Sequence, residues 1–131
     1  MIVEQNADGV SAWSLTADLS EIATADAGML LELVSLFIDD STVRLQTLSS
    51  ACFRQDFKVV RAQAHSLKGS ALQMGADRLA SLCAVLESAD RPEPDRCGPM
   101  MRAIDDEFAL VRLTMEEYLV NAETAQLQPN R

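Results

Sequence analysis

A histidine with a lysine and a glycine one helical turn away is the part of this sequence that could do chemistry. His65 lies in a stretch of helical periodicity, and Lys68 and Gly69 follow it at the spacing of neighbours on one helix. A neutral imidazole that faces solvent is a competent nucleophile and can form a covalent intermediate. Because a nearby ammonium would offset the charge of an incoming phosphoryl group, Lys68 is the best candidate for that role.

A helical projection of the surrounding residues separates a buried stripe from an exposed, basic one. The expected buried residues lie within about 40° of one direction: Val60, Ala64, Leu67, Ala71 and Met74. His65 points about 140° away from Val60, so it should face solvent. The side chains expected near its azimuth, where a partner would dock, are Arg54, Lys58, Arg61, Lys68 and Leu72. The alternative is a solvated histidine on an ordinary polar face.

Gly69 is unusual because a glycine inside a helix costs about 1 kcal/mol relative to alanine. Its missing side chain would let a partner's active site approach the imidazole of His65 closely. The alternative is that Gly69 accommodates a tight crossing with a neighbouring helix.

The hydrophobic periodicity predicts the elements that position this face. We expect helices over 15–25, 26–50 and 54–74, with Gly75 as a stop. Asp77 starts the next helix, a loop rich in Pro and Gly follows over 91–99, and Pro99 occupies the first turn of the last helix. The stripe of that last helix is Met101, Ile104, Phe108, Val111, Met115 and Tyr118.

These elements predict an all-α fold, an antiparallel four-helix bundle with a short additional N-terminal helix. We expect a flexible N-terminal segment over 1–14, the bundle over 15–121 and a polar C-terminal tail over 122–131.

Composition excludes several functions. The net charge of −9 disfavours binding to nucleic acid and to anionic membranes. No apolar run is long enough to span a bilayer, and residues 1–10 lack the basic residue of a signal peptide. The odd number and wide spacing of Cys52, Cys83 and Cys97 argue against a disulfide framework and a zinc site. We therefore expect no metal and a cytoplasmic location.

The run Ala64-His-Ser-Leu-Lys-Gly-Ser-Ala-Leu-Gln-Met-Gly-Ala76, followed by Leu79, Leu82-Cys83 and Leu86-Glu87, closely resembles the histidine-containing phosphotransfer (HPt) domain family. The resemblance implies a four-helix bundle with His65 as phosphoacceptor at Nε2. It also implies that Lys68 interacts with the phosphoryl group and that Gly69 clears space for the partner. Glu87 matches a position that could orient the imidazole, although a salt bridge at the rim is the alternative.

The same resemblance implies the partners. Phosphoryl groups would pass between His65 and aspartates of response-regulator receiver domains, and a hybrid sensor histidine kinase is a further possible partner. This chain would be a phosphotransfer intermediary and not an enzyme, bind no cofactor, and be a monomer, while the receiver would hold Mg²⁺. The main alternative is a helical adaptor that binds a receiver or another signalling protein through the same face without phosphorylation. An enzyme that uses His65 as a general base lacks a second catalytic group, and the spacing gives no support to a metal-bound dimer that shares His65 with a cysteine.

Overall fold

Helices make up the regular structure of the part of the chain that the computed structural model describes, residues 12–89 and 94–127. In chain order they are α1 (Ala17–Ala25), α2 (Ala27–Arg54), α3 (Phe57–Gln73), α4 (Asp77–Ser88) and α5 (Pro94–Leu127). Helix α2 packs against α3 and α5, α4 packs against the same two helices, and α1 lies on α2. The predicted all-α bundle with an additional N-terminal helix is confirmed. No helix of the described ranges has the length and hydropathy to cross a membrane.

The helix ends are fixed by local hydrogen bonds. Asp26 closes α1 with its backbone N–H on the Ile22 carbonyl and opens α2 by accepting a hydrogen bond from the Met29 N–H. Asp56 caps α3 in the same way, accepting from the Val59 N–H. Because Gln55 between α2 and α3 adopts a left-handed conformation with φ 60°, the chain leaves the axis of α2 before α3 begins.

The core is aliphatic and follows the predicted stripes. All five residues of the predicted α3 stripe are buried. The α5 stripe is buried from Met101 to Met115, and Tyr118 packs against its edge. Phe37 of α2 meets Phe108 of α5 with ring centroids 6.3 Å apart. Burial of these stripes supplies most of the driving force for the bundle, since most helical stability in proteins comes from tertiary packing of the apolar face.

The last helix differs from the prediction at both ends. It begins at Pro94, so Pro99 lies inside it and not in its first turn, and the expected loop over 91–99 is wrong from residue 94 onward. Residues 90–93 lie outside the described part. The earlier start has a physical reason: Cys97 is buried one turn before Met101 and extends the same apolar stripe. At the other end the helix continues to Leu127, into the expected polar tail.

The N-terminal segment is docked where the structure describes it. Most of the segment expected to be flexible, residues 1–11, lies outside the described part. Trp13, however, is 3% exposed, and its Nε1–H donates to the Met74 carbonyl at 2.7 Å. Its ring meets Tyr118 edge-on at 5.8 Å. The prediction of a flexible segment is therefore wrong at Trp13, because an indole that buries its ring and also hydrogen-bonds its N–H holds the chain in place.

A disulfide joins Cys52 of α2 to Cys97 of α5 across a sequence separation of 45, with Cα atoms 5.9 Å apart. The expectation of no disulfide, drawn from the odd number and wide spacing of the cysteines, is wrong for this pair, because the spacing does not reveal which helix faces meet. Cys52 follows Leu48 on the buried stripe of α2, and Cys97 precedes Met101 on that of α5. Cys83 remains a buried free thiol.

Candidate functional site

Helix α3 presents His65 to solvent, as its periodicity predicts. The neighbouring residues Ala64 and Leu67 are buried, while the side chain of His65 is 68% exposed. The imidazole thus stands on a rigid helix whose opposite face is fixed in the core. A group that reacts with a second protein needs this combination of access and fixed position.

The turn between α3 and α4 brings Glu87 to the imidazole. Gly75 has φ 78°, a left-handed conformation that suits glycine, and a Cβ there would collide with the side chain of Thr16. Helix α4 then starts at Asp77 and runs back along α3, so Glu87 in its last turn lies beside His65. Oε2 of Glu87 is 2.6 Å from Nδ1 of His65.

This contact decides which imidazole nitrogen can react. An ionised carboxylate only accepts hydrogen bonds, so Nδ1 of His65 carries the proton and donates it to Glu87. Nε2 is then the nitrogen with an available lone pair. The same hydrogen bond fixes the plane of the ring, and the carboxylate charge stabilises positive charge that develops on the ring as Nε2 forms a bond.

Lys68 is the second partner of this carboxylate. Its Nζ lies 2.6 Å from Oε1 of Glu87, so Glu87 holds the ring with one oxygen and the ammonium with the other. Both alternatives from the sequence, orientation of the ring and a salt bridge, are therefore present together. The Lys68 ammonium, and after it the His65 ring, hold the pKa of Glu87 below its ordinary value. Glu87 consequently stays ionised at neutral pH and acts as an acceptor, not as a base.

Gly69 borders open space. A Cβ built on Gly69 would have no heavy atom within 4 Å outside its own helix. The structure gives no support to a tight helix crossing at this position, because such a crossing would place a neighbouring atom there. Leu72, two turns beyond His65, is 55% exposed. Together these residues leave a shallow, open approach to the imidazole with an apolar contact at one side.

The basic residues of the predicted face divide into two groups. Lys58 and Arg61 are exposed on α3, the helix of His65. Arg54, in contrast, is the last residue of α2, and two residues separate it from α3. The projection that placed Arg54 on the azimuth of His65 is therefore wrong, since it assumed one continuous helix over 54–74. We use "docking face" below for Lys58, Arg61, His65, Lys68 and Leu72.

Neither a reactive thiol nor a metal-binding cluster accompanies His65 in the described residues. Burial raises the pKa of the Cys83 thiol to about 12, with a smaller contribution from the Glu87 charge that Lys68 opposes. Cys83 is therefore a neutral core residue near this site and not a thiolate nucleophile. Across residues 12–89 and 94–127, no three His, Cys, Asp or Glu side chains are grouped so that they could hold a metal ion.

The sequence analysis did not predict the ion pair between Lys68 and Glu87. The expectation placed this ammonium on a phosphoryl group, whereas the structure pairs it with Glu87. A signal was available, because Glu87 follows the buried Cys83 by one turn and so lies at the edge of the α4 stripe, next to α3.

Comparisons with known proteins agree with this geometry. The family model of the Hpt domain matches residues 32–118. Histidine-containing phosphotransfer protein 5 from Arabidopsis thaliana is 33% identical over 101 residues, which cover 74% of this chain and 64% of that protein. Histidine-containing phosphotransfer protein 1 from the same plant is 33% identical over 88 residues, which cover 65% of this chain and 57% of that protein. The chain thus spans less than two thirds of the length of both plant relatives.

A solved structure is also similar. The crystal structure of histidine-containing phosphotransfer protein B (HptB) from Pseudomonas aeruginosa PAO1 aligns with a TM-score of 0.74 and 32% sequence identity. The alignment covers 82% of this chain and 95% of that one.

Proposed function

Because the chain belongs to the Hpt domain family, we propose that it relays phosphoryl groups between His65 and aspartates of response-regulator receiver domains in the cytoplasm. The observation that carries the proposal is the 2.6 Å contact between Nδ1 of His65 and Glu87, on an imidazole that is 68% exposed. It leaves Nε2 as the nucleophile on a ring that a second protein can reach.

The proposed transfer needs no proton to move within this chain. The Nε2 lone pair attacks phosphorus as the bond to the aspartate oxygen breaks, and the aspartate leaves as a carboxylate. Nδ1 keeps its proton, so the phosphorylated ring is cationic and Glu87 offsets its charge. In the reverse step a carboxylate oxygen of a receiver aspartate forms a bond to phosphorus as the bond between Nε2 and phosphorus breaks, and the neutral ring with its Nδ1 proton returns. Both directions use the same arrangement, which suits a relay.

Lys68 would change partners during this step. Its ammonium lies on Glu87 in the resting site. A phosphoryl group on Nε2 adds negative charge near that ammonium, and a long flexible stem lets Lys68 turn toward it. Gly69 would leave room for the receiver, and Leu72 would give it an apolar contact.

In this proposal the chain is a monomeric intermediary and not an enzyme. The receiver supplies the carboxylate, the Mg²⁺ ion and the remaining catalytic groups, and a hybrid sensor histidine kinase is a second class of partner. Charge complementarity supports docking on α3, because the docking face is basic while the chain carries a net charge of −9.

A label-transfer assay tests the proposal. A receiver carrying a radioactive phosphoryl group is mixed with the native chain, with His65→Gln, and with Glu116→Gln as a control at an exposed position of α5. We expect label on the native chain and on Glu116→Gln, and none on His65→Gln. Label on His65→Gln at the native level would show that the acceptor is another residue. A native chain that binds the receiver and takes no label would instead support the helical adaptor.

Salt dependence tests the electrostatic part of docking. We expect the association rate with a receiver to fall as ionic strength rises, and Lys58→Gln to lower that rate at low salt. An association rate that does not change with salt would contradict steering by the docking face.

A further inference from the structure

The disulfide between Cys52 and Cys97 has no part in the proposed transfer. It ties the end of α2 to the beginning of α5, and the chain between the two cysteines contains α3 and α4. His65 and Glu87 therefore both lie inside the loop that this bond closes. A bond that can be opened here would change the attachment of the helices that flank the transfer site.

The bond lies beside a surface cavity of about 520 Å³. Both cysteines line the cavity, together with Phe53, Gly98 and Arg102. The Phe53 side chain is 90% exposed, and a Cβ built on Gly98 would meet no atom within 4 Å. The cavity therefore gives a small molecule a route to the disulfide that does not require the bundle to unfold.

The two cysteines differ in exposure. Cys52 is 8% exposed and Cys97 is 2% exposed. Thiol–disulfide exchange depends on which sulfur the incoming thiolate can reach, so access favours attack on Cys52.

The two sulfur atoms also differ as leaving groups, and this difference favours the same direction. Cys97 lies in the first turn of α5, where the positive end of the helix dipole stabilises a thiolate. Cys52 lies in the last turn of α2, where the helix dipole disfavours negative charge. Attack on Cys52 therefore expels the better leaving group, the Cys97 thiolate.

We propose that Cys52–Cys97 is a redox-active modification site at which thiol reductants attack Sγ of Cys52. The reductant thiolate forms a bond to Cys52 Sγ, the bond between the two cysteines breaks, and Cys97 leaves as a thiolate with the electron pair. A second thiolate of the reductant then attacks the mixed disulfide and releases the Cys52 thiolate. Both cysteines take up protons, so the reductant is oxidised to its disulfide and this chain gains two electrons and two protons.

The charges of the cavity indicate the class of small thiol that reacts best. Asp105 and Asp106 line the cavity and outnumber the single guanidinium of Arg102. Burial, and after it the neighbouring Asp106 charge, raises the pKa of Asp105. A cationic thiol such as cysteamine should therefore react faster than the anionic thiol glutathione.

The test uses the folded native chain in its oxidised form. Cysteamine is added without denaturant, the mixture is quenched with N-ethylmaleimide, and mass spectrometry locates the mixed disulfide. We expect at least ten times more cysteamine on Cys52 than on Cys97, and slower cleavage by glutathione. Equal labelling, preferred labelling of Cys97, cleavage no faster than global unfolding, or three free thiols after aerobic purification would each overturn the proposal.

Two variants give an independent measurement. Cys97→Ser and Cys52→Ser each leave one of the two thiols free, and each is treated with cystamine after circular dichroism has shown that it is folded. The reaction is run at a pH high enough to ionise both thiols, so that access and not the thiolate fraction decides the rate. We expect Cys52 in Cys97→Ser to react at least ten times faster than Cys97 in Cys52→Ser, and the reverse order would overturn the proposal. His65→Gln should show native exchange kinetics, so the failure of this inference and the failure of phosphoryl transfer are distinguishable.

Discussion

Replacement of Gly69 should raise the stability of the fold and lower phosphoryl transfer. A Cβ at Gly69 meets open space, so Gly69→Ala should gain the usual helix preference of about 0.5–1 kcal/mol. Unfolding entropy is about 2.1 cal/mol/K per residue, and for 131 residues this gain corresponds to a rise in Tm of about 2–4 °C. The added atoms point into the space through which a receiver must approach His65. Because a displacement of about 1 Å can lower a rate about 100-fold, Gly69→Leu should lose transfer more severely than Gly69→Ala.

Gly98 offers a matched control. It is also a glycine of a helix with no atom within 4 Å of a built Cβ, but it lies on α5 and not on the docking face. Thermal melts and label transfer from a phosphorylated receiver should be measured for Gly69→Ala, Gly69→Leu and Gly98→Ala. We expect Gly98→Ala to keep the native transfer rate and to gain less stability than Gly69→Ala, because the new Cβ would crowd the ring of Pro99, which follows it inside the helix. A fall in Tm for Gly69→Ala, or native transfer by Gly69→Leu, would refute the reasoning that Gly69 keeps an open approach to His65.

Three further predictions concern charge and the disulfide. Because the pKa of Glu87 is lowered in the folded state, its contribution to stability is present above the ordinary glutamate pKa and is lost as pH falls through the folded pKa. The Tm of Glu87→Gln should therefore lie below that of the native chain at neutral pH, and the two Tm values should converge in acid. Glu107 is 6% exposed and burial raises its pKa, with Arg78 opposing. Its carboxyl group therefore binds a proton more tightly in the folded than in the unfolded state, and stability falls as pH rises through the folded pKa. Glu107→Met should accordingly raise the free energy of unfolding at pH 7 by about 1 kcal/mol and have less effect in acid, and an equal effect at both pH values would contradict this explanation. Reduction of the bond between Cys52 and Cys97 should lower the free energy of unfolding by about 4 kcal/mol, which is the loop-closure entropy for a sequence separation of 45 residues. The Tm of the reduced native chain should match that of the double Cys→Ser variant, and an unchanged Tm would show that the bond adds nothing to the stability of the fold.

The reacting face could be predicted because it lies on one helix. Buried and exposed sides of α3 follow from periodicity alone, so the exposure of His65 and the burial of Leu67 needed no tertiary information. The position of Glu87 came from the resemblance of the motif. The two contacts that Glu87 makes could not be derived, because they depend on the angle at which α4 returns along α3.

Two of the features that sequence reasoning placed wrongly depend on distant parts of the chain. Cys97 is buried because α5 meets α2, and this burial together with the bond to Cys52 accounts for a helix that starts before Pro99. Trp13 is ordered because the turn after Met74 offers it a carbonyl. Arg54 was misplaced for a local reason, since no pattern in the sequence marked Gln55 as a left-handed residue that ends α2.

The docked tryptophan sets a limit on how this protein can be trimmed. The recognised family region begins at residue 32, yet a fragment cut there would lose Trp13 and all of α1. The Met74 carbonyl would lose its donor, Tyr118 would lose its ring partner, and about 150–250 Å² of contact area that an indole usually covers would open to water. Such a fragment would retain every residue of the transfer motif but would lack the Trp13 side chain, which packs against the turn between α3 and α4. The unit that packs together in the structure is thus larger than the region that the family model matches.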